Sequence, residues 1–461
     1  MVLLSKPVRR GLSGALVVIL VVALAWAAGV GAATAETAAG AAACTFEQKQ
    51  ARVAALSAFR SRVRGKRPTS PQRRRLAALR RAAACSVPPL PPSSASSCSF
   101  MLAPNEIYER SRADGRLPSF LGNEGTTHPG DFLSPRGHVR ALLLLLDFAD
   151  LPADRDAAAV APSFFPDTKY FEEVSYGRFS VSVEALGSWV RLPRPSAAYL
   201  PMGERLLAYV GDAVAAADPV VDFSRFQVVF LVPTNKLLAG TTAQALIRYP
   251  GRGFVADGVE LRFFATMQAD AVARFGRGAA YSMNHEFLHT LGFPDTRNSP
   301  EQSGAWDPMG PGAGAAPPAS THLLGWHKWK VGWLDPEQLT CLSTPGSIDE
   351  TITRLAAPGG KKLVVVPLSS TTAYVVEART RLGYDRGICE EGVLVYTVDS
   401  RPVFSGEYVD GNGVVNLKGP KRCEQLVAGA FRSGQTYEDA NVKVEVLARD
   451  AVGYRVRVTR K

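Results

Sequence analysis

His285-Glu286-Phe287-Leu288-His289-Thr290-Leu291-Gly292-Phe293-Pro294-Asp295 brings several chemical requirements together in one short segment of a 461-residue chain. On a helix, residues four apart share a face, so His285 and His289 present imidazole nitrogens to one ion, with Glu286 directed beside it. This is the donor pattern of a zinc hydrolase, with the two histidines as metal ligands and Glu286 as general base. Gly292 falls where such a helix ends, and its tolerance of positive φ permits a sharp turn that carries Asp295 back towards the histidines. Asp295 is the expected third ligand, with Asp307 the alternative. The chain has only six histidines (His128, His138, His285, His289, His322 and His327), which makes the pattern rare for this composition.

The chain is 46% hydrophobic and 21% charged, a globular composition with length for two or three domains. Its net charge of +11 first suggests nucleic acid or an anionic membrane as partner. The distribution argues otherwise: Ala51–Arg81 contains eleven Lys or Arg and no acid, which equals the whole excess and leaves the remainder near neutral. No nucleic-acid partner is expected.

Lys6, Arg9 and Arg10 precede an uncharged run from Gly11 to Ala35 that ends in small residues. Residues 1–35 therefore read as a secretory signal peptide cleaved before Glu36; a signal anchor holding the protein to the membrane with the rest outside is the alternative. In an exported chain the six cysteines (Cys44, Cys85, Cys98, Cys341, Cys389 and Cys423) are disulfide candidates.

Residues 36–85 read as a basic helical hairpin, with Phe46, Val53, Leu56 and Phe59 on one arm and Arg73–Ala84 as the other. A Cys44–Cys85 disulfide would close it, stabilising it by roughly 3 kcal/mol in the loop-entropy model. Its arginines suit either an anionic cell surface or a prosegment role. Residues 86–99 form a Pro/Ser linker.

Residues 100–335 alternate strands and helices. Ala141–Leu146 is a buried strand, Tyr170–Arg178 a helix stopped by a glycine turn, Phe179–Val183 a strand, Gly203–Ala217 a helix and Gln227–Val232 another buried strand. That order predicts an α/β catalytic domain on a twisted mixed sheet ahead of the metal helix. Gly304-Ala305-Trp306-Asp307-Pro308-Met309-Gly310 places Met309 in a tight turn, the position of an apolar floor beneath a metal. Ser320–Leu334 packs Trp326, Trp329 and Trp333 with His322 and His327, and is expected to close this domain against the C-terminal part of the chain; the two histidines are weaker candidates for contacting substrate or an oxyanion. Residues 336–461 carry short β runs (363–368, 374–378, 393–398, 414–417, 442–447 and 454–458). They predict a mainly antiparallel β-sandwich that Cys389 and Cys423 could staple.

LLLLLDFAD at 142–150, YFEEVSYGRFSV at 170–181, HEFLHTLGFPD at 285–295, GAWDPMG at 304–310, GWHKWKVGWL at 325–334 and GVLVYTVD at 392–399 together resemble the immune inhibitor A family of secreted bacterial zinc metalloproteases, which is metzincin-like. The resemblance covers roughly residues 140–400. It implies a metal-dependent endopeptidase acting outside the cell, with one catalytic zinc on His285, His289 and Asp295, Glu286 as base, and a protein or peptide substrate. Two other functions fit parts of the sequence: an exported surface-binding protein on a metalloprotease-like scaffold, and a zinc hydrolase of a non-peptide amide. Neither a calcium site nor an oligomeric state is specified.

Overall fold

The computed structural model describes residues 55, 59, 69–83, 98, 124–125, 130–234, 243–267, 270–272, 276, 278–296, 303–310, 321–400, 403–405, 408–410, 414–420, 422 and 428–461. The expected signal segment, most of the hairpin and linker, and Cys44, Cys85 and Cys423 lie outside them. Of the segment expected as the hairpin's second arm, Arg73–Ala84, residues 73–83 lie in helix α1 (Ser70–Ala83). Among the described residues no helix is long and apolar enough to cross a membrane.

Strand β1 (Gly137–Phe148) is apolar at successive positions because both its faces are covered. It pairs in parallel with β2 (Phe179–Leu192) and β3 (Val228–Pro233). Then come β4 (Gln244–Ile247), a small hairpin of β5 (Phe254–Ala256) and β6 (Val259–Leu261), and β7 (Phe263–Thr266). β7 runs parallel to β3 and β4 antiparallel to β7, giving a mixed sheet of order β2-β1-β3-β7-β4.

Alternation along the strands sorts the core into two layers. Ala141, Leu143 and Leu145 face the side that also buries Val228, Phe230 and Val232. Leu142, Leu144 and Leu146 face the other, with Val229 and Leu231. Short helices α2 (Ala157–Val160) and α3 (Thr168–Val174) lead into β2. Helix α4 (Met202–Ala217) buries Leu206, Tyr209, Val210, Ala213 and Val214, an i, i+3, i+4, i+7, i+8 stripe, on the second layer. Helix α5 (Gly278–Thr290) covers the first with Met283, Phe287 and Leu288. Each buried Leu, Val, Met or Phe among these contributes about 1.5–3 kcal/mol, so both helices have strong reason to dock.

Helix α6 (Gly325–Lys330) leads into the β-rich half. There β8 (Leu339–Cys341), β10 (Leu363–Pro367), β11 (Thr372–Arg379), β12 (Gly392–Asp399) and β15 (Val414–Leu417) form one sheet, antiparallel except for the β8/β10 pair. Strands β13 (Val403–Ser405) and β14 (Tyr408–Asp410) form a separate antiparallel pair, and a second antiparallel sheet contains β9 (Gly346–Thr353), β16 (Thr436–Glu438), β17 (Val442–Arg449) and β18 (Gly453–Arg460). One face of β10–β12 (Val364, Val376, Val395) packs on this second sheet through Val444, Val456 and Val458, making a sandwich. The opposite face (Leu363, Val375, Tyr396) receives Trp306, Trp326 and Trp329. The tryptophan-rich stretch thus joins the two halves, as its composition predicts.

Cys98, inside the segment read as linker, is fully buried in that tryptophan core and disulfide-bonded to Cys341. Cys389 is also disulfide-bonded.

Candidate metal centre

The helix that carries the two histidines is anchored by the residues between them. Phe287 packs edge-on against Phe171 at 4.9 Å and Phe230 at 5.8 Å, which turns the neighbouring His285, Glu286 and His289 along their own face. Helix α5 then ends in a Schellman arrangement: Gly292 N–H donates to the His289 carbonyl (2.9 Å) and Phe293 N–H to the Leu288 carbonyl (3.4 Å). Gly292 sits at φ 92°, where any Cβ would be strained.

That turn returns Asp295 to the histidines. Its Oδ1 lies 3.1 Å from His285 Nε2 and 3.7 Å from His289 Nε2. One donor atom from each of the three residues fits within 4.8 Å of the others. The imidazole rings are 4.9 Å apart and nearly perpendicular. Their other nitrogens are engaged: His285 Nδ1 is 2.7 Å from the Pro308 carbonyl and His289 Nδ1 2.8 Å from the Phe293 carbonyl. A carbonyl only accepts, so each Nδ1 carries the proton, and each Nε2 keeps a lone pair towards the shared space. Glu286, next to His285, is 6% exposed.

Asp307 has a different part. Fully buried, it accepts from Met309 N–H (2.8 Å) through Oδ1, and from Leu324 N–H (2.7 Å) and His327 Nδ1 (2.7 Å) through Oδ2. Its hydrogen-bonding capacity goes to shaping the turn and capturing His327. Met309 is buried in the same core as Phe287, and the Pro308 carbonyl of its turn is the partner of His285.

His322 and His327 are both fully buried, which separates them from any solvent-borne substrate. His327 Nε2 faces Glu124 at 3.0 Å. Burial would push its imidazolium down, but Glu124 and Asp307 outweigh that and hold its pKa up at about 10. Burial pulls Lys330 the opposite way, to about 8. His322 joins Lys328 Nζ (2.7 Å) to Glu173 (2.9 Å), and burial lowers both His322 and Lys328 well below their usual values. Arg379, bound to Asp385 and to the Trp306 and His322 carbonyls, ties this network to the β-rich half.

The residues that sequence reasoning misses carry unequal signals. Lys328 and Lys330 are conspicuous as charges in an aromatic stretch. Glu124 has none, because its importance comes only from a contact with His327 far along the chain.

The fold and site define a mixed α/β protein with a candidate three-donor metal centre at the end of a helix. No protein-family model matches the chain, and no curated protein matches it in sequence. Solved structures that match include wild-type OgpA from Akkermansia muciniphila, at 12% identity over 71% of this chain and 94% of that one, TM-score 0.27. Catalytically inactive OgpA in complex with an O-glycopeptide substrate, glycodrosocin, matches at 13% identity over 68% and 88%, TM-score 0.25. Overlap this loose does not define a shared fold.

Proposed function

We propose that this protein is a zinc-dependent endopeptidase of the immune inhibitor A type that acts on protein or peptide substrates outside the cell. The observation that carries this is the convergence of His285 Nε2, His289 Nε2 and Asp295 Oδ1, with both Nδ1 atoms occupied by carbonyls. A tetrahedral ion with bonds of about 2.0–2.1 Å sets its donors roughly 3.3 Å apart, and the spacings of 3.1 and 3.7 Å bracket that edge. Two imidazoles and one carboxylate also suit zinc better than calcium or magnesium, which favour all-oxygen shells.

Zinc held there would supply Lewis acidity, polarising the scissile carbonyl and making a neighbouring water acidic near neutral pH. The chain's own work is proton handling and alignment. Glu286 accepts the proton of the attacking water as the new C–O bond forms, and returns it to the amide nitrogen as the C–N bond breaks. The Pro308 and Phe293 carbonyls keep the two imidazoles in the Nδ1–H tautomer throughout.

The full chain incubated with an unstructured protein should cleave it, lose that activity to a zinc chelator and regain it with added zinc. Undiminished cleavage under chelation ends the proposal.

A further inference from the structure

We infer that helix α6, with Glu124, is the positioning apparatus of the two metal-binding histidines: His327 secures the turn that grips His285, and Lys330 the turn that grips His289. The inference rests on the metal-site reading above and adds to it residues that touch neither ion nor substrate.

Each imidazole sets its Nδ1 against a main-chain carbonyl, so its direction depends in part on how firmly that peptide is held. The Pro308 carbonyl belongs to a turn closed by Gly310 N–H on the Asp307 carbonyl (3.0 Å) and by Met309 N–H on the Asp307 carboxylate (2.8 Å). The other oxygen of that carboxylate holds His327 Nδ1 at 2.7 Å, and His327 is held from behind by Glu124 at 3.0 Å. All three side chains are fully buried, which removes competition from water and makes the chain Glu124–His327–Asp307 stiff.

The second turn is gripped from the same helix. Lys330 Nζ donates to the Gly292 carbonyl at 3.1 Å, and its ammonium lies 5.9 Å from the centre of the Phe293 ring, whose own carbonyl receives His289. Burying an ammonium is costly. The Gly292 carbonyl and the Phe293 ring offset part of that cost, and a methionine would fill the same space while making neither polar contact. Thr296 N–H on the Met309 carbonyl (2.9 Å) joins the two turns, so the imidazoles are aimed by one connected frame.

The test compares wild type with Lys330→Met, His327→Gln and Glu124→Gln, and with Val214→Ala as control, since Val214 lies on α4 across the sheet from the site. Zinc affinity is measured by competition with a chromogenic chelator, and site geometry by the visible spectrum of the cobalt-loaded protein. Loss of a group bonded directly to a ligating histidine weakens metal binding roughly 10- to 100-fold, and since these residues act one or more contacts further out, a weakening at the lower end, about 10-fold, is the measure. That weakening, with a shifted cobalt spectrum, is expected in all three variants and absent in the control, even where unfolding temperatures fall alike. Variants that lose stability yet bind zinc within about twofold of wild type overturn the inference while leaving the metal site intact. A wild type that binds no zinc overturns the metal site itself, and this inference with it. Should His327→Gln fail to fold, Lys330→Met decides, because it preserves length and packing.

Discussion

Asp307→Asn and Asp295→Asn should separate the two carboxylates that the sequence leaves open as third ligand. In Asp307→Asn an NH2 group replaces one oxygen, and either orientation sets a donor against a donor: Met309 N–H on one side, or Leu324 N–H and His327 on the other. A buried donor left without an acceptor costs about 1–3 kcal/mol, and breaking one partner of a buried charged pair about 3–5 kcal/mol. These overlap, so a loss of about 3–5 kcal/mol is expected in metal-free protein. That is a large part of a total of about 5–15 kcal/mol, equivalent to roughly 3–6 °C in Tm for residues 41–461 melting as one unit. Asp295 is partly exposed and turns its Oδ1 towards the two histidines rather than into a turn, so Asp295→Asn should change metal-free stability by about 1 kcal/mol or less. It should instead abolish the stabilisation that zinc confers, about 2.7 kcal/mol at a hundred times Kd. Thermal melts of both variants with and without zinc measure this directly. If Asp307→Asn melts like wild type without metal, or Asp295→Asn keeps the zinc increment, the assignment of the two carboxylates is wrong.

Glu286→Ala should keep zinc affinity and lose peptide hydrolysis by roughly 100- to 10,000-fold, the usual worth of a general base; zinc titration beside a cleavage assay checks both. His289→Ala should lose zinc and activity together. Because the fold raises His327 from about 6.5 to about 10, its stabilising contribution is complete below about pH 6.5 and disappears as pH rises through 10. The stability gap between wild type and His327→Gln, from urea unfolding at a series of pH values, should therefore shrink across that window; a constant gap would contradict it. Cys341→Ser opens a loop of sequence separation 243 and should cost about 5.5 kcal/mol in the loop-entropy model, visible as a lower urea midpoint under non-reducing conditions.

The candidate metal segment is legible in the sequence because its logic is local: helical spacing, a glycine stop and a short return bring His285, His289 and Asp295 together within eleven residues. The leucine run of β1 is legible for a similar reason, since an uninterrupted apolar strand must be covered twice. Strands β4 to β7 are not, because each has only three or four residues and no sustained alternation. β9 (GSIDETIT) is mostly polar, and its identity comes from pairing with β18 at the far end of the chain. Long-range partners are similarly hidden. Nothing near Cys98 names Cys341 among fifteen pairings of six cysteines, and nothing near His327 names Glu124. The choice between Asp295 and Asp307 turns on which acid has its lone pairs committed to main-chain amides and His327, a property of three dimensions.

The sulfur bridge between Cys98 and Cys341 also governs how the chain can be trimmed. A protease cutting anywhere from residue 99 to residue 123 would sever the backbone yet liberate nothing, since the upstream fragment would hang from the β-rich half until reduced. Maturation that discards the arginine-rich leader outright must therefore cut ahead of Cys98, and only then would the two products part on a non-reducing gel.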